Sequence, residues 1–309
     1  MEKQANPRRR HPGGARFAAW AAPDGALLRR MDWPQPDGLR PRGSLIFAGG
    51  RGDFIEKYLE ALDHWHGRGW RVTSFDWRGQ GASARPADAP ASLDPLVDDF
   101  AALLDDWRAA GPPPHVAIGH SMGGHLLLRT IVERAPRLDA AVLIAPMIAV
   151  NTAPIPGWLA PAVARVMIAL GMGAAPMWKS PQALQRVGSP RQHRLTGSRE
   201  RYRDELYWWA REPGWNIGAP TWGWLAAAFR SAQAFDADRL AQVTLPILML
   251  AAGHDRLVRT GAIRRAAADL PNASLDVLAG AAHEILRDRD AVRGPALARI
   301  DAFLDEQAS

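Results

Sequence analysis

Ser121 stands in Gly119-His120-Ser121-Met122-Gly123, between an apolar run, Val116-Ala117-Ile118, and a helix-like run from Leu126 to Arg134. A serine at so sharp a strand-to-helix turn is held in a strained backbone conformation with its hydroxyl exposed, which suits it to attack a carbonyl carbon. Gly119 and Gly123 remove side chains that would collide where strand and helix pass, and Gly124 leaves further room. A helix beginning just after the serine turns unpaired N–H groups and the positive end of its dipole toward an oxyanion formed there, with Met122 as one donor. An ordinary glycine turn before a helix would read the same over these five residues, so the downstream partners decide.

A serine hydroxyl needs an adjacent base, itself oriented by a third group. Of nine histidines, His283 follows the last predicted strand, in Ala279-Gly280-Ala281-Ala282-His283-Glu284. From there a loop at the sheet's C-terminal edge can reach back to Ser121. His64 and His66 lie toward the far end of a helix, while His120 and His125 flank the turn and point into neighbouring packing. Asp255, in Gly253-His254-Asp255, closes the preceding strand; alone it suits a helix N-cap as well as a catalytic acid. Ser121, Asp255 and His283 in that order, each in a loop after a predicted strand, is the arrangement an α/β-hydrolase requires.

A second oxyanion donor is sought after the buried strand Ser44–Ala48, in Gly49-Gly50-Arg51-Gly52. This loop has neither GxGxxG nor a closing Gly-Lys-Ser or Gly-Lys-Thr, so it is not a phosphate cradle. Its glycines let backbone N–H groups approach a ligand, and the N–H of Arg51 is the candidate; a tight turn with no ligand is the plainer reading.

The elements that must position these residues alternate. An Asp24-Gly25 hairpin falls within Phe17 to Asp32, and the strand ending at Ala48 leads into a helix with Phe54, Ile55, Tyr58, Leu59, Leu62 and Trp65 at helical spacing, Asp53 as its N-cap. Arg71–Phe75 reads as another buried strand, running into the polar loop Asp76–Ser83, which would shape the rim of a site. Further strands are expected at Ala140–Pro146, Leu245–Ala252 and Ala273–Leu278, with helices at Leu93–Ala110, Thr260–Leu270 and Ala291–Leu304. That alternation predicts an α/β protein, a mostly parallel sheet covered on both faces.

Between about 147 and 235 helical segments replace the strands, and seven of the chain's 13 Trp fall there. We read residues 16–146 and 236–309 as the core, 147–235 as a helical cap whose Trp rings line an apolar pocket, and 1–15 as a basic, disordered tail. Arg186, Arg191, Arg194, Arg199, Arg201 and Arg203 read as a solvated basic face.

The balance of 47% hydrophobic and 23% charged residues is that of a globular chain, and 309 residues can bury a large core. With no cysteine there is no disulfide, thiolate metal site or cysteine nucleophile, and a cytoplasmic place is expected, with peripheral contact at a membrane through cap or tail. The net charge of +6 is partly clustered in Arg8-Arg9-Arg10-His11, yet no aromatics interleave these arginines, so no nucleic-acid partner is expected. Trp158 to Met177 is interrupted by Arg165, Pro161 and Pro176 and reads as a cap helix with an apolar face, not a membrane span.

Taken together, Phe47-Ala48-Gly49-Gly50-Arg51-Gly52, Asp76-Trp77-Arg78-Gly79-Gln80-Gly81-Ala82-Ser83, Gly119-His120-Ser121-Met122-Gly123-Gly124, Gly253-His254-Asp255 and Ala282-His283-Glu284 resemble an α/β-hydrolase of the monoacylglycerol lipase and lysophospholipase group, which borders the serine aminopeptidases. The resemblance covers about 17 to 305 and implies Ser121 as nucleophile, Asp255 as acid, His283 as base, and the N–H groups of Arg51 and Met122 as the oxyanion hole. It implies neither metal nor organic cofactor, and a single-acyl lipid ester as substrate. Gly49 departs from it, since relatives often carry histidine there; backbone donors survive that change. Two other readings remain: an aminopeptidase holding a substrate ammonium with Glu200, Asp204 or Glu205, and a non-catalytic scaffold of the same fold.

Overall fold

The computed structural model describes residues 6–85, 92–179 and 185–307. Residues 1–5 of the expected tail and 180–184 of the expected cap lie outside them. Eight strands form one sheet in the order β1-β2-β4-β3-β5-β6-β7-β8. The strands are β1 (Arg16–Ala21), β2 (Leu27–Trp33), β3 (Gly43–Ala48), β4 (Trp70–Phe75), β5 (His115–His120), β6 (Ala140–Ile144), β7 (Ile247–Ala252) and β8 (Ala273–Leu278). The β1–β2 hairpin and the β2–β4 pair are antiparallel; β3 to β8 are parallel throughout.

Alternation along the buried strands splits the core into two layers. Leu45 and Phe47 of β3, with Val116, Ile118, Val142 and Leu248, pack against α1 (Leu59–His66) and α10 (Asp290–Gln307) through Leu62, Trp65, Ile300 and Leu304. Ile46 and Ala48, with Ala117, Leu143 and Met249, face the other way onto α2 (Asp94–Ala110), α3 (Met122–Arg134) and α9 (Thr260–Asp269) through Phe100, Leu104, Leu126 and Ile263. The class is α/β with a mostly parallel, doubly covered sheet.

The segment between β6 and β7 carries α4 (Ala160–Ala169), α5 (Pro190–Leu195), α6 (Arg199–Arg211), α7 (Trp222–Ser231) and α8 (Ala237–Leu240). Its tryptophans divide: Trp208 and Trp215 join the core layer of α1, whereas Trp158 is 81% and Trp178 46% exposed. Among the described residues no helix is long and apolar enough to cross a membrane.

Three expectations are corrected. Residues 7–15 are ordered rather than a disordered tail: Arg8 Nε donates to Asp204 at 2.5 Å and Arg8 Nη2 to Glu200 at 2.7 Å, Arg9 Nε donates to Asp204 at 2.6 Å, and His11 lies 2.7 Å from Glu56. Charge complementarity with acids of α6 and of the turn that precedes α1 draws the basic segment onto the surface. The arginine run is likewise not simply solvated, because Arg191 pairs with Glu205, and Arg201 with Glu60 and Asp290. Asp53 is not a helix N-cap either. A 3-10 turn at Ile55–Tyr58 precedes α1, and it is Asp76 that accepts the Ile55 N–H, at 2.9 Å, while Asp53 faces Lys57.

Candidate active site

β5 delivers Ser121 into α3 with φ 53° and ψ −114°, a left-handed value that costs a non-glycine residue about 1–3 kcal/mol. The surroundings over-determine it: the Ser121 N–H donates to Ile144 O at 2.9 Å, and its carbonyl accepts from His125 N and Met147 N, both at 3.0 Å. The neighbouring glycines are required by contact. A Cβ on Gly119 would lie 2.7 Å from Gly123 O, and one on Gly123 only 2.2 Å from Ala48 O.

The loops after β7 and β8 meet this turn. His283 Nε2 is 2.8 Å from Ser121 Oγ, and His283 Nδ1 is 2.7 Å from Asp255 Oδ2. The other Asp255 oxygen accepts the N–H groups of Leu257 at 2.8 Å and Val258 at 3.0 Å, so the carboxylate cannot swing away. Burial pushes the Asp255 carboxyl up, but the His283 ring and the two amides outweigh that and hold it below its ordinary range. An ionised Asp255 only accepts, so His283 Nδ1–H donates to it and Nε2 keeps its lone pair for the serine proton. Burial works against a charged His283 ring; Asp255, then Glu284 and Asp53, raise it above the ordinary histidine value all the same.

The glycine loop packs directly on the serine, since a Cβ on Gly50 would lie 3.0 Å from Ser121 Cβ. Its neighbours brace it from three directions. Gly50 N–H donates to Asp53 Oδ2 at 2.6 Å, Gly52 N–H to the Gln80 side-chain oxygen, and Trp77 Nε1 to Gly49 O at 2.7 Å. The Arg51 amide lies between the two engaged ones, and the Met122 amide is the first of α3, where no intrahelical acceptor exists. The loop Asp76–Ser83 therefore does more than shape a rim.

Asp53, Trp77 and Gln80 were not singled out for this role, and neither was the charge cluster under the site. Lys57 Nζ reaches Asp53 at 2.6 Å, Glu284 at 2.7 Å and Glu205 of α6 at 3.3 Å. His120 joins the same cluster, with Tyr58 Oη at 2.8 Å and Asp53 at 3.2 Å from its Nδ1. The signal was the placing of a lysine among Phe54, Ile55 and Tyr58 on an apolar face, four residues after an aspartate. His64 meets Asp301 and His66 the Pro34 carbonyl, both at 2.9 Å, while His125 is buried against Met147 O and Ser231; none approaches Ser121 Oγ. A cavity of about 390 Å³ touches Asp255, His193, His254, Arg256 and Arg289, but Ser121 is not in its wall.

Residues 40–290 match the model of the serine aminopeptidase S33 family. The chain belongs to that family. This S33 hydrolase is 30% identical to lysophospholipase L2 of Escherichia coli K12 over 86% of its own length and 81% of that protein's. It is 26% identical to the probable lysophospholipase L2 of Haemophilus influenzae, over 86% and 85% of the two chains. Its fold is the α/β-hydrolase fold: monoglyceride lipase of Saccharomyces cerevisiae superposes with a TM-score of 0.74 at 15% identity, covering 95% of both chains. The monoacylglycerol lipase of Paleococcus ferrophilus does so with 0.67 at 19%, covering 90% of this chain and 98% of its own. The S33 chain is an enzyme of the ester-hydrolase class.

Proposed function

We propose that this enzyme hydrolyses the ester of a single-acyl lipid, a lysophospholipid or a monoacylglycerol, through an acyl-enzyme on Ser121. The observation that carries the reading is the unbroken relay from Ser121 Oγ through His283 to Asp255, with contacts of 2.8 and 2.7 Å, beside the Arg51 and Met122 amides. In the first half-reaction the Ser121 oxygen bonds to the ester carbonyl carbon while its proton passes to His283 Nε2. The carbonyl oxygen takes the negative charge and accepts from the two amides. Collapse breaks the bond to the leaving alcohol, which takes the proton from His283. Water then repeats the sequence on the acyl-enzyme and frees the fatty acid and Ser121.

The lipid part of the reading is supported by the relatives' names and by an apolar surface on the cap, where Trp158 is 81%, Leu170 68% and Val166 57% exposed. Such a patch suits peripheral contact with a lipid surface. An aminopeptidase would need an unengaged cap carboxylate. Glu200 and Asp204 are instead met by Arg8, Asp204 also by Arg9, and Glu205 by Arg191 and Lys57. Steady-state rates on monoacylglycerols and lysophospholipids, set beside amino-acid anilides, test the proposal; faster cleavage of the anilides would end it, and a Ser121 that a fluorophosphonate leaves unlabelled in folded protein would favour a scaffold.

The acid limb of activity follows from His283. Only the neutral ring accepts the serine proton, and its pKa lies above the ordinary 6.5, so neutral His283 is already being lost as the pH falls through a value above 6.5. The expected kcat/KM profile on a water-soluble ester rises with a single-proton slope centred above pH 6.5. A midpoint below that would show that Asp255 does not hold the ring as described.

A further inference from the structure

The Arg51 side chain is unlike other arginines that are wholly or partly buried. Arg8, Arg29, Arg191, Arg201 and Arg287 each face a carboxylate. Arg51 faces none among the described residues, and burial alone draws its guanidinium down to about 10. It donates instead to two backbone carbonyls of the segment before α7, Nη1 to Gly218 O and Nη2 to Ala219 O, both at 3.0 Å. The Trp224 ring lies 5.3 Å beneath it. A guanidinium carries more N–H donors than the two used here, and two carbonyl dipoles leave most of its charge uncompensated. Arg51 is only partly buried, so its free donors face water, and an anion carried in by a ligand can take the place of that water.

Its position says what that would be. The Arg51 backbone follows Gly50, which packs on Ser121 Cβ, while its guanidinium ends on Gly218 O and Ala219 O, so the side chain spans from the loop beside the serine to the cap. In a lysophospholipid the phosphate hangs on the glycerol close to the acylated carbon, within the same molecule whose carbonyl must reach Ser121. We infer that the Arg51 side chain is a specificity-determining group that receives the phosphodiester of a lysophospholipid, so that the enzyme prefers anionic single-acyl lipids to neutral monoacylglycerols. This rests on the reading of the enzyme as a single-acyl lipid hydrolase. A guanidinium is suited to it, offering two parallel N–H groups to two phosphate oxygens, with the Trp224 face holding its plane.

The test compares kcat/KM on 1-oleoyl-lysophosphatidylglycerol with that on 1-monooleoylglycerol, for wild type, Arg51→Lys, Arg51→Gln and Arg51→Met. Because the Arg51 backbone belongs to the oxyanion loop, any common loss of rate cancels in the ratio of the two substrates. Wild type is expected to favour the lysophospholipid, and the ratio to fall about tenfold to a hundredfold in Arg51→Gln and Arg51→Met while Arg51→Lys keeps most of it. A group that merely ties the loop to Gly218 and Ala219 would slow both substrates alike and leave the ratio unchanged, which overturns the inference. A site for free phosphate would also leave the ratio alone, and would let inorganic phosphate alter the rate on monooleoylglycerol only when Arg51 is present; that too overturns it. Failure of the wild type to cleave either lipid, with p-nitrophenyl butyrate still hydrolysed, would instead remove the lipid reading on which the inference stands.

Discussion

Ser121→Ala should lower kcat on any ester substrate by a factor on the order of 10⁶ while leaving the fold intact. The proposed mechanism gives the Ser121 oxygen the whole covalent step, and His283 has nothing to deprotonate once the hydroxyl is gone. What survives is the oxyanion donors and binding, which alone give about 10³–10⁴ over water. The fold survives because the interactions holding residue 121 are made by backbone: its N–H to Ile144, its carbonyl to His125 and Met147. Alanine in the same left-handed conformation carries a strain similar to that of serine. Rates on a p-nitrophenyl ester, fluorophosphonate labelling and a urea melt, taken together, decide the matter. A variant with a native melt and more than about a hundredth of the wild-type rate would show that another group supplies the nucleophile.

The three side chains that meet here were picked out in the sequence by chain direction, each standing in a loop after a strand, although Asp255 alone also suited a helix cap. Gly119 and Gly123 announce the turn, since any larger residue would strike Gly123 O or Ala48 O. Asp255 and His283 then follow from strand order, because in a parallel sheet the loops after β7 and β8 open on the same edge as the loop after β5. Asp53 was misplaced for a reason of the opposite kind. A local rule made it a helix cap, while a contact four residues on, with Lys57, and one 67 residues on, with His120, claimed its two oxygens. Arg8 and Arg9 were read as part of a disordered tail for the same cause: the carboxylate that binds both, Asp204, lies nearly two hundred positions away. Periodicity reports faces and turns; it carries no information on which distant charges will meet.

That distinction sets the expected cost of Lys57→Met. The cluster beneath the site balances three acids, Asp53, Glu205 and Glu284, against three bases, Lys57, Arg191 and Arg287. The Lys57 side chain is only 3% exposed, and those of Glu205 and Glu284 0% and 2%, so water cannot replace a missing partner. Methionine fills the volume of lysine and removes the charge, leaving Asp53 and Glu284 without the cation they share, which should cost about 3–5 kcal/mol in the free energy of unfolding. The pH course follows from the directions of the shifts. Burial pushes Glu205 up, yet Arg191, Lys57 and Arg287 bring it from 4.5 to about 2, and Asp53 is likewise depressed, by Lys57 and His120 against its burial. Both acids therefore add stability that is full above their unfolded values and lost as the pH falls through the folded ones. Lys57 runs the other way: its burial is outweighed by Asp53, Glu205 and Glu284, its pKa stands above 10.5, and its contribution is full below 10.5 and lost as the pH rises past the folded value. Wild type should thus hold its margin over Lys57→Met across the neutral range and surrender it below about pH 4.5, where Glu205 begins to lose its advantage. Urea unfolding of both proteins at neutral pH and near pH 3 tests this, and a difference that is under about 1 kcal/mol at pH 7, or that widens in acid, would mean the cluster is not held by the balance of its charges. Because Asp53 also fixes the Gly50 amide and Glu284 adjoins His283, the same substitution should lower kcat, tying the stability of the cluster to the alignment of the site above it.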